Sequence, residues 1–256
     1  MFDVTSFVIL IAIGIGGGIF GSLIGVGGGI IFAPALTLMG LNPFQISSTS
    51  LVAVTSTSIS SVISYARQRR IKYKIASSLA IMSIPGAILG AYLSTVISIE
   101  FFQLFFSIIL ILAVFYILFS GRNKDKKGQT KPRLNSNLLL YSCAFAAGIV
   151  SSLFGVGGGI IFVPIMLIMR GMNMYEAAPS SQFIILISAV TGLVIHIIMG
   201  HPNYVYGLSL AAGAFVGGAI GSKLLGHIRE GILRIFLSIS LLFVSSRLIF
   251  GVIDDL

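Results

Sequence analysis

A chain of 256 residues with 56% hydrophobic and 9% charged side chains cannot cover a water-soluble surface, since ordinary soluble domains are about 25% charged. With a mean hydropathy of +1.06 and apolar runs of about 20 residues, it reads as a bundle of membrane-spanning helices rather than a β-barrel of alternating 10-residue strands. The formal charge of +9 sits mainly in RQRRIKYK (67–74) and GRNKDKKGQTKPR (121–133), which in a membrane protein are orientation signals, so no nucleic-acid partner is expected.

Taken in chain order, the apolar runs predict helices at about 5–24, 29–40, 43–66, 75–97 and 101–119. Asp3 stands where a signal peptide has basic residues, and no small-residue cleavage site ends the first run, so that segment is expected to remain in the mature chain. After a basic stretch come helices at about 137–154, 159–170, 175–199, 204–225 and 231–250. Cys143 is the single cysteine; it excludes an intrachain disulfide and is expected to pack as a small apolar side chain.

The chain is duplicated. SLIGVGGGIIFAP at 22–34 returns as SLFGVGGGIIFVP at 152–164, differing at Ile24/Phe154 and Ala33/Val163. The offset is 130 positions there and 131 after the extra residue Arg170. Gly40, Leu41 and Asn42 then fall on Gly171, Met172 and Asn173, STS (48–50) on PSS (179–181), and GAILGA (86–91) on GGAIGS (217–222). The expected division is a first transmembrane repeat at 1–120, a basic linker at 121–135 and a second repeat at 136–256.

Lengths decide how each repeat begins. Residues 5–40 as one helix would run about 54 Å, too long for a single pass of a ~30 Å hydrocarbon core, and 29–40 alone would run about 18 Å, too short. A broken hairpin that enters and returns on one side satisfies both. Each repeat is then a glycine-broken hairpin plus three crossings, and an odd number of crossings turns the second repeat over. The expected fold is an all-α polytopic membrane protein of two inverted-topology repeats. With the linker cytoplasmic, 67–74, Arg170, Lys223, Arg229 and Arg234 also lie inside, Arg247 lies near the outer face, and both termini are outside. Parallel repeats would move Arg170, Lys223, Arg229 and Arg234 outward, against the positive-inside rule.

The seven acids, Asp3, Glu100, Asp125, Glu176, Glu230, Asp254 and Asp255, all fall at segment ends or in loops. Proteins that move cations or relay protons commonly tolerate a buried carboxylate despite its cost of about 2.5–3.5 kcal/mol. No HExxH, paired carboxylate or Cys/His cluster is present either, so no enzyme, metal or cofactor is expected. Gly16, Gly18 and Gly21 match GxGxxG without the preceding strand. Close helix packing explains them better, as it does Gly86/Gly90, Gly213/Gly217 and Gly217/Gly221.

The strings Gly25–Gly29 and Gly155–Gly159 differ from those packing glycines. Consecutive glycines let successive N–H groups face outward together, and each string ends where a short helix begins. Pro34 and Pro164 are expected near the first turns, where N–H groups lack partners anyway. A helix N-terminus in low dielectric attracts anions by about 0.3–1 kcal/mol, and roughly 2 when partly buried. Facing ends of Gly27, Gly28, Gly29 and Gly157, Gly158, Gly159 would therefore make an anion site from backbone. Ser48, Thr49, Ser50, Ser180, Ser181 and Gln182, early in the next helix of each half, could add uncharged donors. The competing reading is that the glycines permit tight crossing and the hydroxyls bond their own helices. His196 lies near a helix end and is expected at the interface; RQRRIKYK is a topology signal or the rim of an anion-attracting vestibule.

The paired GVGGGIIFxP strings, the STS/PSS segments and the basic central linker resemble the sulfite exporter TauE/SafE family over nearly the whole chain. The resemblance implies a prokaryotic plasma-membrane secondary transporter for sulfite, thiosulfate or organosulfonates, with no ATP-hydrolysing motif. The family's glycine signature falls on Gly25, Gly27, Gly28, Gly29 and Gly155, Gly157, Gly158, Gly159. Its Thr-Ser pair is kept at Thr49–Ser50, while Ser180–Ser181 departs from it. A passive anion channel, or an assembly or sensor protein in which the glycines only pack, stays open at this point. So do the direction of transport, the coupling ion and a homodimer, which small-residue surfaces permit.

Overall fold

The computed structural model describes residues 4–98 and 137–228, with isolated positions between 101 and 111 and between 231 and 246. The helices expected at 101–119 and 231–250 lie largely outside the described residues, and the linker 121–135 lies wholly outside them.

The regular structure of the two continuous stretches is all helix, joined by short turns. The first holds α1 (Val4–Ile24), α2 (Gly29–Thr37), α3 (Pro43–Arg67) and α4 (Tyr73–Leu93). The second holds α5 (Asn137–Phe154), α6 (Gly159–Met169), α7 (Met174–Ile198) and α8 (Tyr204–Leu224). All but α2 and α6 are long and apolar enough to cross a membrane. At 1.5 Å per residue α2 and α6 reach about 14 and 17 Å, half of a hydrocarbon core. The sequence offset maps Pro43–Arg67 onto Met174–Ile198 and Tyr73–Leu93 onto Tyr204–Leu224 end to end.

Local chemistry sets these limits. Asn173 accepts from the Glu176 N–H at 3.0 Å, and Asn203 from Tyr206 at 3.3 Å, capping α7 and α8. At the equivalent start of α3, Gln45 reaches back to the Asn42 N–H and Pro43 fills the first position. Gly40, Gly171 and Gly200 follow helix ends with φ of 75°, 62° and 73°, the left-handed conformation that glycine adopts at least cost.

Helices α1 and α8 pack with their backbones nearly touching, as do α4 and α5. A Cβ on Gly217 would lie 2.2 Å from the Ile15 carbonyl oxygen, and one on Gly86 would lie 2.1 Å from that of Phe145. Both pairs run parallel, since Gly86 and Gly90 meet Phe145 and Ile149, and Gly213 and Gly217 meet Ile11 and Ile15. Helices α3 and α7 instead run antiparallel. Phe44, at the start of α3, packs its ring tilted against that of His201, just past the end of α7. Lys72, just past the end of α3, pairs with Glu176 at the start of α7. Outward faces carry exposed apolar side chains such as Val8, Ile81, Val194 and Phe215, as lipid contact requires.

Three details differ from the sequence reading. Helix α2 stops at Thr37 rather than near 40. Pro34 is its sixth residue, past the N–H groups that lack partners, so the Ile30 carbonyl has no i+4 donor. Gly16 meets nothing within 4 Å, so it takes no part in the close packing that uses Gly18 and Gly21.

Candidate functional site: two interlocked glycine turns

Each short helix folds back on the long one before it. The ring of Phe32 lies over Gly17, and a Cβ on Gly21 would strike the Gly28 nitrogen. Such a reversal needs left-handed backbone at Gly25, Gly27 and Gly28, with φ of 81°, 84° and 86°, and at Gly155, Gly157 and Gly158, with φ of 67°, 86° and 70°. In the first turn the N–H groups of Gly25, Val26 and Gly27 converge on the Gly21 carbonyl at 3.0, 2.8 and 3.1 Å. The N–H groups of Gly28, Gly29, Ile30, Gly158, Gly159 and Ile160 have no acceptor among the described residues.

The turns touch. A Cβ on Gly29 would lie 2.4 Å from the Cα of Val156, and one on Gly159 would lie 2.4 Å from the Gly25 carbonyl oxygen. Each turn therefore occupies the space a side chain would need at the start of the other's short helix. Ser50 donates its hydroxyl to the Gly155 carbonyl, and Ser181 donates to Gly25, both at 2.6 Å. Val54 and Ile185, equivalent under the offset, both lean on Gly27 and Gly157. Ser47 also donates to the carbonyl of Leu153. Two residues break the pairing: the counterpart of Ser47 is Ala178, which has no hydroxyl, and Gln182 donates to the Gly21 carbonyl at 2.6 Å and accepts from Ser58 at 3.1 Å, whereas its counterpart is the buried Leu51.

The structure thus gathers Gly27, Gly28, Gly29, Gly157, Gly158, Gly159, Ser50, Ser181 and Gln182. It turns three other residues of the sequence-based set elsewhere. Ser48 bonds back to Gln45. Thr49 accepts from the Asn203 N–H and Ser180 from the Lys72 N–H, both at 3.0 Å, fastening the starts of α8 and α4. A cavity of about 20 Å³ lies beside the first turn, walled by Phe20, Ile24, Val26 and Ile30. One water needs about 10–15 Å³, so this cavity has room for about one water and not for an oxyanion.

Two larger recesses open at the end where α3 finishes. One, of about 440 Å³, lies among Arg69, Arg70, Lys72 and Glu176; the other, of about 520 Å³, among Ser64, Arg67, Arg70 and Lys223. Arg70 borders both, its guanidinium set against Gly226 and its Nη1 buried without an acceptor. Lys74 starts α4 beside them, and Arg170 joins this end through its bond to Asn137 at the start of α5. The opposite end carries two imidazoles. His196 is fully buried rather than interfacial, with Nε2 3.2 Å from the Ser152 carbonyl and Nδ1 3.1 Å from Nδ1 of His201. Burial holds the His201 pKa below its usual value. Sequence reasoning named neither Arg70 nor His201 individually, although the 131-residue offset places one on the other.

Long apolar helices, lipid-facing flanks and half-length helices that return at paired glycine turns define a multi-pass α-helical membrane protein. The family model described as Sulfite exporter TauE/SafE matches residues 10–248, and the chain belongs to that family. It is 32% identical to "Probable membrane transporter protein YunE" of Bacillus subtilis (strain 168), over 96% of this chain and 98% of that one. Identity to "Probable membrane transporter protein MJ0441" of Methanocaldococcus jannaschii is 30%, over 78% and 76% of the two chains. Identity to "Probable membrane transporter protein YfcA" of Escherichia coli (strain K12) is 21%, over 88% and 82%. No solved structure matches the chain. Together these make it a membrane transporter of the TauE/SafE type.

Proposed function

We propose that the protein is a secondary transporter that carries a small oxyanion across the prokaryotic plasma membrane by alternating access. The anion is sulfur-containing, as the family's name implies: sulfite, thiosulfate or an organosulfonate. The observation that carries this reading is the pair of interlocked turns, whose N–H groups at Gly28–Ile30 and Gly158–Ile160 have no acceptor among the described residues. Two helix N-termini meeting there each favour an anion by up to roughly 2 kcal/mol when partly buried. No charged side chain is needed, so the anion is held weakly enough to leave on either side.

Rocking of one half on the other would open the turns by separating Val54 from Ile185, which now close over Gly27 and Gly157. The antiparallel setting of α3 and α7 supports inverted repeats, the arrangement from which such rocking is built. The charges support one orientation: Arg67, Arg69, Arg70, Lys72, Lys74, Arg170 and Lys223 gather at a single end, which the positive-inside rule makes cytoplasmic. Both termini are then outside, and the recesses around Arg70 form a cytoplasmic vestibule that concentrates anions.

A stability-shift screen of small anions on the purified protein tests this. Sulfur oxyanions should raise the unfolding temperature of the wild type, and Gly28→Val and Gly158→Val should abolish that rise while the protein still expresses. A rise preserved in both variants would place the anion elsewhere.

A further inference from the structure

The two ends of the molecule are built on the same backbone knot with different chemistry. At the basic end the Arg70 N–H bonds the Tyr65 carbonyl at 3.2 Å, and at the other end the His201 N–H bonds the His196 carbonyl at 3.1 Å. Between them Arg69, with φ 54°, matches Gly200, with φ 73°. The hydroxyl of Tyr65 donates to the Ser22 carbonyl at 2.8 Å, and Nε2 of His196 meets the carbonyl of the equivalent Ser152. Tyr65 and Arg70 in one half therefore correspond to His196 and His201 in the other, across the roughly 37 Å length of a 25-residue helix.

The tautomers follow from the partners. A carbonyl only accepts, so the proton of neutral His196 is on Nε2 and its Nδ1 is bare. His201 must then donate from its own Nδ1 across the 3.1 Å contact. That leaves Nε2 of His201 unprotonated, and the next proton taken up goes there. Among the described residues no carboxylate or fixed cation faces this pair. Helix α5 offers the Ser152 carbonyl; α3 offers the Phe44 ring and Thr49, whose hydroxyl already accepts from Asn203. The start of α8 offers Asn203 and the phenols Tyr204 and Tyr206.

We infer that His201 is the proton-operated counterpart of Arg70: an oxyanion-binding group at the opposite end of the molecule, cationic only after Nε2 takes up a proton. Arg70 attracts anions at its face unconditionally, whereas His201 does so when its own face is acid. An anion arriving there brings a proton onto the imidazole, and its departure releases that proton. The transporter would thus couple anion occupancy at one face to protons without any buried carboxylate. This rests on the anion-transport reading above.

The test follows the three histidine signals of ¹⁵N-histidine-labelled protein in lipid nanodiscs through a pH titration, with and without sulfate, whose charge is constant across the range. Sulfate should raise the titration midpoint of one signal, and that signal should vanish in H201Q. A rise of about one pH unit corresponds to about tenfold tighter sulfate binding by the protonated form. If H201Q does not fold, removing the exposed His227 (H227Q) and finding the responsive signal still present supports His201, together with a resting shift typical of a Nδ1–H tautomer. No midpoint moved by sulfate, or a responsive signal that survives H201Q, overturns the inference. Absent transport with the midpoint shift retained would count against the proposed function alone; transport with no midpoint shift would count against this inference alone.

Discussion

Ser50 and Ser181 tie the two glycine turns crosswise: the serine that follows the first turn donates to Gly155 in the second, and its counterpart donates to Gly25 in the first, each at 2.6 Å. Both hydroxyls are fully buried. Removing one leaves a carbonyl without its donor, which costs about 1–3 kcal/mol. Ser50→Ala and Ser181→Ala should therefore lower stability by similar amounts in thermal unfolding. In transport assays both should change the rate more than the apparent affinity, because each bond links a turn to a helix of the other half. Unequal losses would mean the two ties are not equivalent.

Glycines that pack can be separated from glycines that do not. Gly217→Ala forces a methyl to within 2.2 Å of the Ile15 carbonyl oxygen, while Gly16→Ala meets nothing within 4 Å. The first should destabilise the α1–α8 contact by several kcal/mol. The second should be neutral or stabilise by about 0.5–1 kcal/mol through helix propensity. Parallel thermal melts in one detergent check both.

Much of this architecture was legible in the sequence, and the reasons differ by element. The glycine strings announced broken hairpins because 5–40 is too long and 29–40 too short for one pass of the membrane; the caps Asn173 and Asn203 became visible only in the structure. The direction of Ser48, Thr49 and Ser180 was not legible. Helix α3 is two-thirds buried over its span, so no amphipathic stripe marks which of its own hydroxyls, Ser48 and Thr49 among them, face the turns. His196 lies one turn from a helix end and so suggested the interface; the loop carrying His201 and the Ser152 carbonyl bury it instead. The Tyr65/Arg70 and His196/His201 correspondence was present in the offset but carries no side-chain similarity by which to notice it.

Arg70 should govern anion capture from its own face. A charge 4 Å from an anion near a protein surface contributes up to about 4 kcal/mol, and salt screens it within about 10 Å at moderate ionic strength. Arg70→Gln should raise the half-saturation concentration about tenfold at low salt, an effect that shrinks as salt is added. The maximal rate should stay within about twofold, since the residue lies away from the turns. A change confined to the maximal rate would point to a structural role.

Acidification should weaken the anion-free protein. Burial depresses the pKa of folded His201, so the folded state favours the neutral imidazole. That contribution is fully present above the unfolded value of about 6.5 and is lost as pH falls toward the folded pKa. Chemical unfolding at neutral and mildly acid pH should show the wild type losing stability on acidification and H201Q losing less. Added sulfate should restore part of the loss in the wild type. Equal losses in the two proteins would contradict the assignment.

Orientation has its own check. A cysteine introduced at Asn203, with Cys143 replaced by serine, should be modified by an impermeant thiol reagent from outside intact cells. Modification only from the cytoplasmic side would overturn the inverted arrangement.

The most direct measurement is counterflow in proteoliposomes. Vesicles preloaded with unlabelled sulfite should take up labelled sulfite faster than empty ones, because a carrier returns loaded, and Gly158→Val should abolish the acceleration. Uptake indifferent to preloading, with flux linear in concentration, would contradict a carrier and leave a pore built on the same turns.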